Sequence, residues 1–261
     1  MNPREYKVMA TLEESHWWYR GLHDLVTRVV AAERDRKGKL SILDAGCGTG
    51  RLCRLLGSFG TVTGCDSSDL ALQLCRENGI ETTFKADLNC TDLGRECYDV
   101  ITCMDVLYHR NIEREDTVLT SFYRALRPGG TVLLNLVAFE SLRSSHDIAV
   151  HTRRRYRRHE VVQLLQEAGF TIRFCSYRLC LLFPLLAAYR SVLAFFQSSK
   201  NPDQVQSDLS PPPRLINRLL KHAVCQENRI LGTLPLPFGL SVFAVAEKPD
   251  NQGQAKKGVA C

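Results

Sequence analysis

Short apolar runs alternate with longer amphipathic stretches along the chain from Leu40 to about Phe174. The apolar runs occupy residues 41–46, 61–66, 81–87, 98–105 and 131–138. They are rich in Val, Ile and Thr, which is typical of strands buried on both faces. Amphipathic stretches at 68–78 and 113–126 end at a glycine and before an RPGG segment, as helices do. This alternation predicts an α/β fold, doubly wound, with right-handed crossovers and a mostly parallel sheet.

After residue 150 this regular alternation gives way to an insertion. A helix is predicted at 160–170, a sixth strand at 171–179 and a last strand at 240–248. About 60 residues separate the last two strands, which is too long for an ordinary loop and predicts a helical cap. We expect an N-terminal helical lid at 1–35, a core at 36–178 and 239–248, the cap at 179–238 and a flexible tail at 249–261.

A glycine-rich segment, LDAGCGTG at 43–50, follows the first predicted strand. Glycines at this point allow a sharp turn and let a ligand approach the main chain closely. A nicotinamide-binding loop would have its third glycine at position 51, which is Arg51 in this chain. The spacing GxGxG, with Asp44 two residues before Gly46, resembles motif I of the class I S-adenosylmethionine-dependent methyltransferases.

Two further carboxylates, Asp66 and Asp87, end the second and third predicted strands. A strand-end Asp often serves as a turn or capping residue, but three in succession at one edge of a sheet favour a ligand site. The resemblance implies that Asp66 accepts both ribose hydroxyls and that Asp87 receives the adenine amine. It also implies that the backbone N–H of Leu88 meets the adenine ring.

The resemblance continues in YDVITCMDVLYH at 98–109, in LRPGG at 126–130 and in EESHWWYRG at 13–21. It covers about residues 40–178 and the closing strand at 240–247. It implies a Rossmann-like, seven-stranded sheet of order 3-2-1-4-5-7-6, with the last strand antiparallel, and S-adenosylmethionine as cofactor. The residues expected at the cofactor are Arg20, Asp44, Gly46, Cys47, Gly48, Asp66, Ser67, Asp87, Leu88 and Met104.

His109 follows the fourth predicted strand, where an acceptor pocket should open. Imidazole titrates near neutrality, so His109 is the candidate general base, although it can instead link strand and helix as a structural residue. Trp17, Trp18 and Tyr19 can close over the cofactor or simply pack the leading helix. The NPPY-type motif expected for methylation of nucleobase amines is absent from the sequence.

The composition, with 44% hydrophobic and 24% charged residues, excludes a mainly disordered chain and a polytopic membrane protein. The net charge of +6 is modest, and the basic run HTRRRYRRH at 151–159 can be a solvated face, a site for an anionic substrate or a nucleic-acid contact. No nucleic-acid-binding module is visible, so we expect no nucleic-acid partner. The 11 cysteines are scattered without a CxxC pair, which indicates reduced thiols in a cytoplasm and no metal site.

The segment 180–196 is almost wholly apolar, but Pro184 and Arg190 interrupt it and it is short for a membrane span. It can line an acceptor pocket, rest on a membrane surface or form a buried cap helix or dimer face. The leading hypothesis is a cytoplasmic methyltransferase that transfers a methyl group to an O or N atom of a small, lipid-like or aromatic acceptor. The alternative is a non-catalytic cofactor-binding module that docks on a membrane or a protein partner. The oligomeric state stays open.

Overall fold

The computed structural model describes residues 3–184, 212–232 and 234–250. Most of the apolar segment predicted at 180–196 and nearly all of the predicted tail lie outside the described residues. Seven strands form one sheet of order β3-β2-β1-β4-β5-β7-β6. The strands are β1 Leu40–Ala45, β2 Gly60–Asp66, β3 Thr83–Lys85, β4 Tyr98–Met104, β5 Leu126–Val137, β6 Thr171–Arg178 and β7 Ser241–Glu247. Strand β7 runs in the opposite direction to the other six strands, which are parallel to one another. This arrangement confirms the predicted fold class.

The described helices are α1 Pro3–Leu12, α2 Trp17–Lys37, α3 Arg51–Leu56, α4 Asp69–Glu77, α5 Glu115–Ala125, α6 Ser145–Ala149, α7 Arg158–Glu167 and α8 Arg214–Ile230. Phe122 of α5 and Leu165 of α7 are fully buried in one core cluster with Ile101 of β4. Val30 of α2 belongs to a second cluster with Ile42 of β1. Helices therefore cover both faces of the sheet. Within the described part of the chain, no helix combines the length and apolar character that crossing a lipid bilayer requires.

Strand β5 begins earlier than the sequence pattern predicts, at Leu126 rather than at 131. Leu126 pairs with Tyr98, and the register then shifts before Thr131 pairs with Val100. The Gly129 N–H donates to the Lys248 carbonyl oxygen at 2.8 Å, so the RPGG segment is held at the end of β7. The predicted helix stop is correct, but the chain enters the sheet at once instead of forming a free turn.

The lid helix α2 packs on α8 of the cap, so two segments that are distant in sequence form one layer. Asn228 donates through Nδ2 to the Gly21 carbonyl oxygen at 2.8 Å, and Asn217 Oδ1 accepts from the Trp17 N–H at 2.9 Å. A Cβ on Gly21 would lie 2.4 Å from Val224 Cγ1, so the bare backbone of Gly21 permits this close approach. Helices α2 and α8 therefore form one packed layer.

The basic run at 151–159 is largely occupied by intramolecular ion pairs. Arg153 and Arg154 both pair with Glu115. Arg155 forms two hydrogen bonds to Asp147, of 2.9 and 2.8 Å, and both side chains are only 1% exposed. These three arginines therefore form ion pairs within the protein.

Replacement of Arg155 by Met should lower the free energy of unfolding by about 3–5 kcal/mol, because it leaves the Asp147 carboxylate buried without its guanidinium partner. Arg124→Met is the matched control, since the ion pair of Arg124 with Asp92 lies at the surface and is worth no more than about 1 kcal/mol. Denaturant unfolding of both variants measures the difference. Equal losses in the two variants would show that the buried ion pair contributes no more to the free energy of unfolding than the surface pair.

Candidate cofactor and acceptor site

A cavity of about 700 Å³ opens at the carboxyl ends of the central strands. Parallel α/β sheets bind ligands at this edge, and the volume is typical of small-molecule sites. The expected cofactor residues that line it are Asp44, Gly46, Cys47, Gly48, Asp66, Ser67, Asp87, Leu88 and Met104, and the candidate base His109 lines it as well. The fold therefore brings together residues that are spread over more than sixty positions of the sequence.

Arg20 is the expected cofactor residue that does not line the cavity. Its side chain is exposed, and Nη1 donates to the Glu14 carbonyl oxygen at 3.1 Å. Arg51, the residue that breaks the nicotinamide-type spacing, lies in the cavity wall instead and pairs with the Glu14 carboxylate at 2.9 Å. The position of Arg20 on α2 directs its charge outwards.

At two positions of the glycine-rich loop after β1, the main chain leaves no room for a side chain. Gly46 and Gly48 have φ angles of +80° and +55°. A Cβ on Gly46 would lie 2.3 Å from Val106 Cγ2, and one on Gly48 would lie 2.7 Å from Met9 Cε. The loop thus combines left-handed backbone with close neighbours, and only glycine satisfies both conditions at these two positions.

Asp66 joins this loop to the tip of β2. Its Oδ2 accepts from the Gly48 N–H at 3.1 Å and its Oδ1 accepts from the Ser68 N–H at 2.9 Å. The Tyr6 hydroxyl of α1 donates to the same carboxylate. Burial raises the pKa of Asp66, while the backbone N–H groups of Ser68 and Gly48 oppose that rise. A buried carboxylate faces the cavity beside a bare main chain.

The other two strand-end acids have different surroundings. Asp44 is buried and accepts hydrogen bonds from Thr102 Oγ1 at 2.7 Å and from Cys53 Sγ at 3.3 Å. Burial raises the pKa of Asp44 to about 6. Asp87 is exposed, and its Oδ1 accepts from the backbone and side-chain nitrogens of Asn89 at 3.0 and 2.7 Å. Asp44 therefore ties β1 to its neighbours, whereas Asp87 keeps its carboxylate at the solvent-facing rim.

Helix α1 and the residue that follows it supply part of the cavity wall. Tyr6 and Met9 of α1, which no sequence motif indicated, line the cavity together with Glu13, the first residue of the EESHWWYRG segment. The Glu13 carboxylate accepts from the Thr49 hydroxyl of the glycine-rich loop, and burial raises the pKa of Glu13 to about 7. These side chains belong to the predicted lid, but their contacts with the loop depend on tertiary packing. Only their position before the WWYR segment could have suggested them.

The remaining cavity wall is mainly apolar and aromatic. Its apolar residues include Trp17, Trp18, Leu22, Ile112, Val137, Val150, Leu220 and Leu240. The Trp17 and Trp18 rings are in T-shaped contact, with centroids 5.6 Å apart. Trp17 also belongs to a buried cluster, so the packing of the leading helix accounts for it, and both tryptophans line the cavity.

Asp105, four residues before His109, is a further polar group of this wall. Its φ angle of +60° is unusual for a residue other than glycine. Asn135 fixes it by two hydrogen bonds: Nδ2 donates to Asp105 Oδ1 at 2.8 Å, and the Asp105 N–H donates to the Asn135 carbonyl oxygen at 2.9 Å. Desolvation raises the pKa of Asp105 to about 6. The left-handed turn aims a carboxylate into the cavity.

His109 lines the same cavity with its ring already engaged. Nδ1 accepts from the Asn111 N–H at 3.2 Å, which in the neutral ring assigns the proton to Nε2. Burial lowers the pKa of His109 to about 4. The ring of His151 lies 5.6 Å away between centroids. At neutral pH, His109 is therefore an uncharged ring that presents an N–H donor at Nε2.

Comparisons with known proteins agree with this geometry. A family model described as a methyltransferase domain matches residues 42–130. The ubiquinone biosynthesis O-methyltransferases of Pseudomonas savastanoi pv. phaseolicola and Vibrio atlanticus are 29% and 28% identical over 136 and 151 residues. These alignments cover 46% and 52% of this chain, and 57% and 62% of the relatives.

A solved structure shares the fold over nearly the whole chain. The S-adenosylmethionine-dependent methyltransferase of Thermotoga maritima superposes with a TM-score of 0.55 at 16% identity, covering 94% of this chain and 95% of that one. Residues 42–130 are thus similar to a methyltransferase domain, and the chain as a whole shares the fold of an S-adenosylmethionine-dependent methyltransferase.

Proposed function

We propose that the protein transfers a methyl group from S-adenosylmethionine to a hydroxyl oxygen of a small aromatic or apolar acceptor. The observation that carries this proposal is a single cavity lined both by the glycine-rich loop with Asp66 and by apolar walls around Asp105. The names of the relatives, which are O-methyltransferases of ubiquinone biosynthesis, support oxygen as the acceptor atom.

The cofactor fits the residues of the loop and the strand tips. The Asp66 carboxylate would accept the two ribose hydroxyls, because it is buried beside a main chain that carries no side chains. Asp87 and Leu88, after β3, would hold the adenine, and Met104 would line the cofactor's part of the cavity. When bound, the cofactor supplies an electrophilic methyl group for in-line displacement.

The acceptor side of the cavity favours a molecule with an apolar body and one hydroxyl. Tryptophan and aliphatic side chains dominate this wall, so a charged or sugar-like acceptor would lose more hydration than it regains. Exclusion of water also favours methyl transfer, because the positive charge on the sulfonium is lost along the reaction. Phenols and lipid-like phenols meet these conditions.

Asp105 is the better candidate for the general base. A carboxylate whose pKa is about 6 is ionised at neutral pH and remains basic enough to accept a phenolic proton. The Asn135 side chain holds its orientation. His109, an uncharged ring that lines the same cavity, would instead help to position the acceptor. In this proposal, the two residues remain partners with different roles.

Methyl transfer itself is tested with purified protein, S-adenosylmethionine and a panel of acceptors. The panel contains catechol, long-chain alkyl catechols, a monophenol, an amino sugar and histamine. We expect S-adenosylhomocysteine and an O-methylated product, identified by mass spectrometry, with catechols and most strongly with the alkyl catechols. Cofactor binding without turnover on any acceptor would favour the non-catalytic module instead.

Replacement of Asp66 by Ala should weaken the binding of S-adenosylhomocysteine by about 2–3 kcal/mol, or roughly 30- to 150-fold, because a desolvated charge-assisted hydrogen bond is lost. Isothermal titration calorimetry measures the affinity. Asp69→Ala is the control, since Asp69 lies three residues further on with 79% of its side chain exposed. Asp66→Asn, which keeps an acceptor oxygen, should lose less. Unchanged affinity in Asp66→Ala would remove this residue from the site.

The pH dependence of turnover should separate Asp105 from His109. If Asp105 is the base, kcat for the best acceptor rises with pH through about 6, as its carboxylate loses a proton, and then levels off. Asp105→Asn should lower kcat by about 100-fold or more and abolish this rise. His109→Gln keeps a hydrogen-bond donor and should keep the rise at the same pH. A rise centred near pH 4 that is lost in His109→Gln would assign the base to His109.

A further inference from the structure

Three cysteines that are distant in sequence meet directly behind the glycine-rich loop. Cys47 belongs to the loop, Cys53 to α3 and Cys75 to α4. Their sulfur atoms lie within 4.8 Å of one another, and Cys47 Sγ and Cys75 Sγ are 3.9 Å apart. All three side chains are buried. The sequence spacing did not predict this cluster, because it contains no pair of closely spaced cysteines.

Two glycines adjoin the sulfurs, at positions where a side chain would collide with them. A Cβ on Gly64 would lie 3.0 Å from Cys47 Sγ and 3.3 Å from Cys53 Sγ. A Cβ on Gly50 would lie 2.5 Å from Cys75 Sγ. Bare main chain thus borders the cluster on two sides. By contrast, other buried cysteines of the sheet, such as Cys65 and Cys103, belong to no such group among the described residues.

The spacing of the sulfurs suits a thiophilic metal ion. A tetrahedral zinc ion bonds thiolates at about 2.3 Å, which places sulfur pairs about 3.8 Å apart. The Cys47–Cys75 distance already has this value, and the other pairs need to close by no more than about 1 Å. The Asp44 carboxylate contacts Cys53 Sγ at 3.3 Å and therefore adjoins the fourth position.

We propose that Cys47, Cys53 and Cys75 bind one divalent, thiophilic metal ion of the zinc type. Each thiol releases its proton to solvent as a sulfur–metal bond forms, so three protons leave and the group changes from neutral to a charge of −1. No electron is transferred and no oxidant is needed. The site goes beyond methyl transfer, and no step of that reaction uses it.

The ion has access to the cluster without unfolding of the protein. Cys47 lines the main cavity, and Cys53 lines a smaller surface depression of about 290 Å³ together with Val62 and Ile80. Once bound, the ion joins the loop to α3 and α4. Because the unfolded chain does not hold the three sulfurs together, ion binding stabilises the folded protein.

Titration of the reduced, full-length protein with Cd²⁺ in the presence of excess citrate tests this site. We expect one tightly held equivalent, seen as an ultraviolet thiolate–cadmium charge-transfer band, together with a higher melting temperature. Cys75→Ala and Cys47→Ala should each lose the tight equivalent and the rise in melting temperature. Cys90→Ser is the control, because Cys90 is an exposed thiol outside the cluster, and it should behave as the unaltered protein.

Retention of the tight equivalent in the Cys75 and Cys47 variants, or no retention by the unaltered protein, would overturn the proposal. Circular dichroism shows whether the two variants are folded. If either is not, X-ray absorption of the zinc-loaded, unaltered protein decides the question. Three sulfur neighbours at about 2.3 Å support the site, whereas a shell of nitrogen and oxygen alone would contradict it.

Discussion

The arrangement of the site depends on one hydrogen bond, from the Gly48 N–H to the Asp66 carboxylate. It connects the turn after β1 to the tip of β2 and sets the distance between bare main chain and negative charge. Parallel pairing of β1 with β2 places both at the same edge of the sheet. The left-handed turns at Gly46 and Gly48 then let Val106 and Met9 pack directly against the main chain of the loop. Substitution of Gly46 or Gly48 would therefore disturb the Asp66 carboxylate as well as the loop.

Helices α2 and α8 give the cavity its apolar side. The strand tips offer carboxylates and backbone groups, whereas α2 and α8 contribute indole and aliphatic surface through Trp17, Trp18 and Leu220. Asn217 and Asn228 fasten α8 to α2 through backbone groups, so this contact does not depend on long charged side chains. A polar half and an apolar half therefore meet in one space.

The sequence alone was sufficient for features that depend on local chemistry and on strand order. Buried β-branched runs predicted the strands, the resemblance implied their order, and the glycine spacing and the strand-end acids singled out residues that line one cavity. Features that arise from packing were not accessible: the contact of Tyr6 with Asp66 joins positions sixty apart, and the left-handed turn at Asp105 has no signature in the sequence. His109 was singled out for its intrinsic pKa, but burial and Asn111 alter its chemistry. The thiol cluster was also missed, because only the packing of the chain brings its three cysteines together.

The position of β7 within the sheet bears on how the protein is made. This strand is among the last described parts of the chain, yet it lies between β5 and β6 and pairs with both along their length. A nascent chain on the ribosome that has not yet extruded residues 241–247 lacks the strand that holds β6 in the sheet. The apolar faces of β5 and β6 must then wait for their partner, so the sheet is complete only after residues 241–247 have left the ribosome.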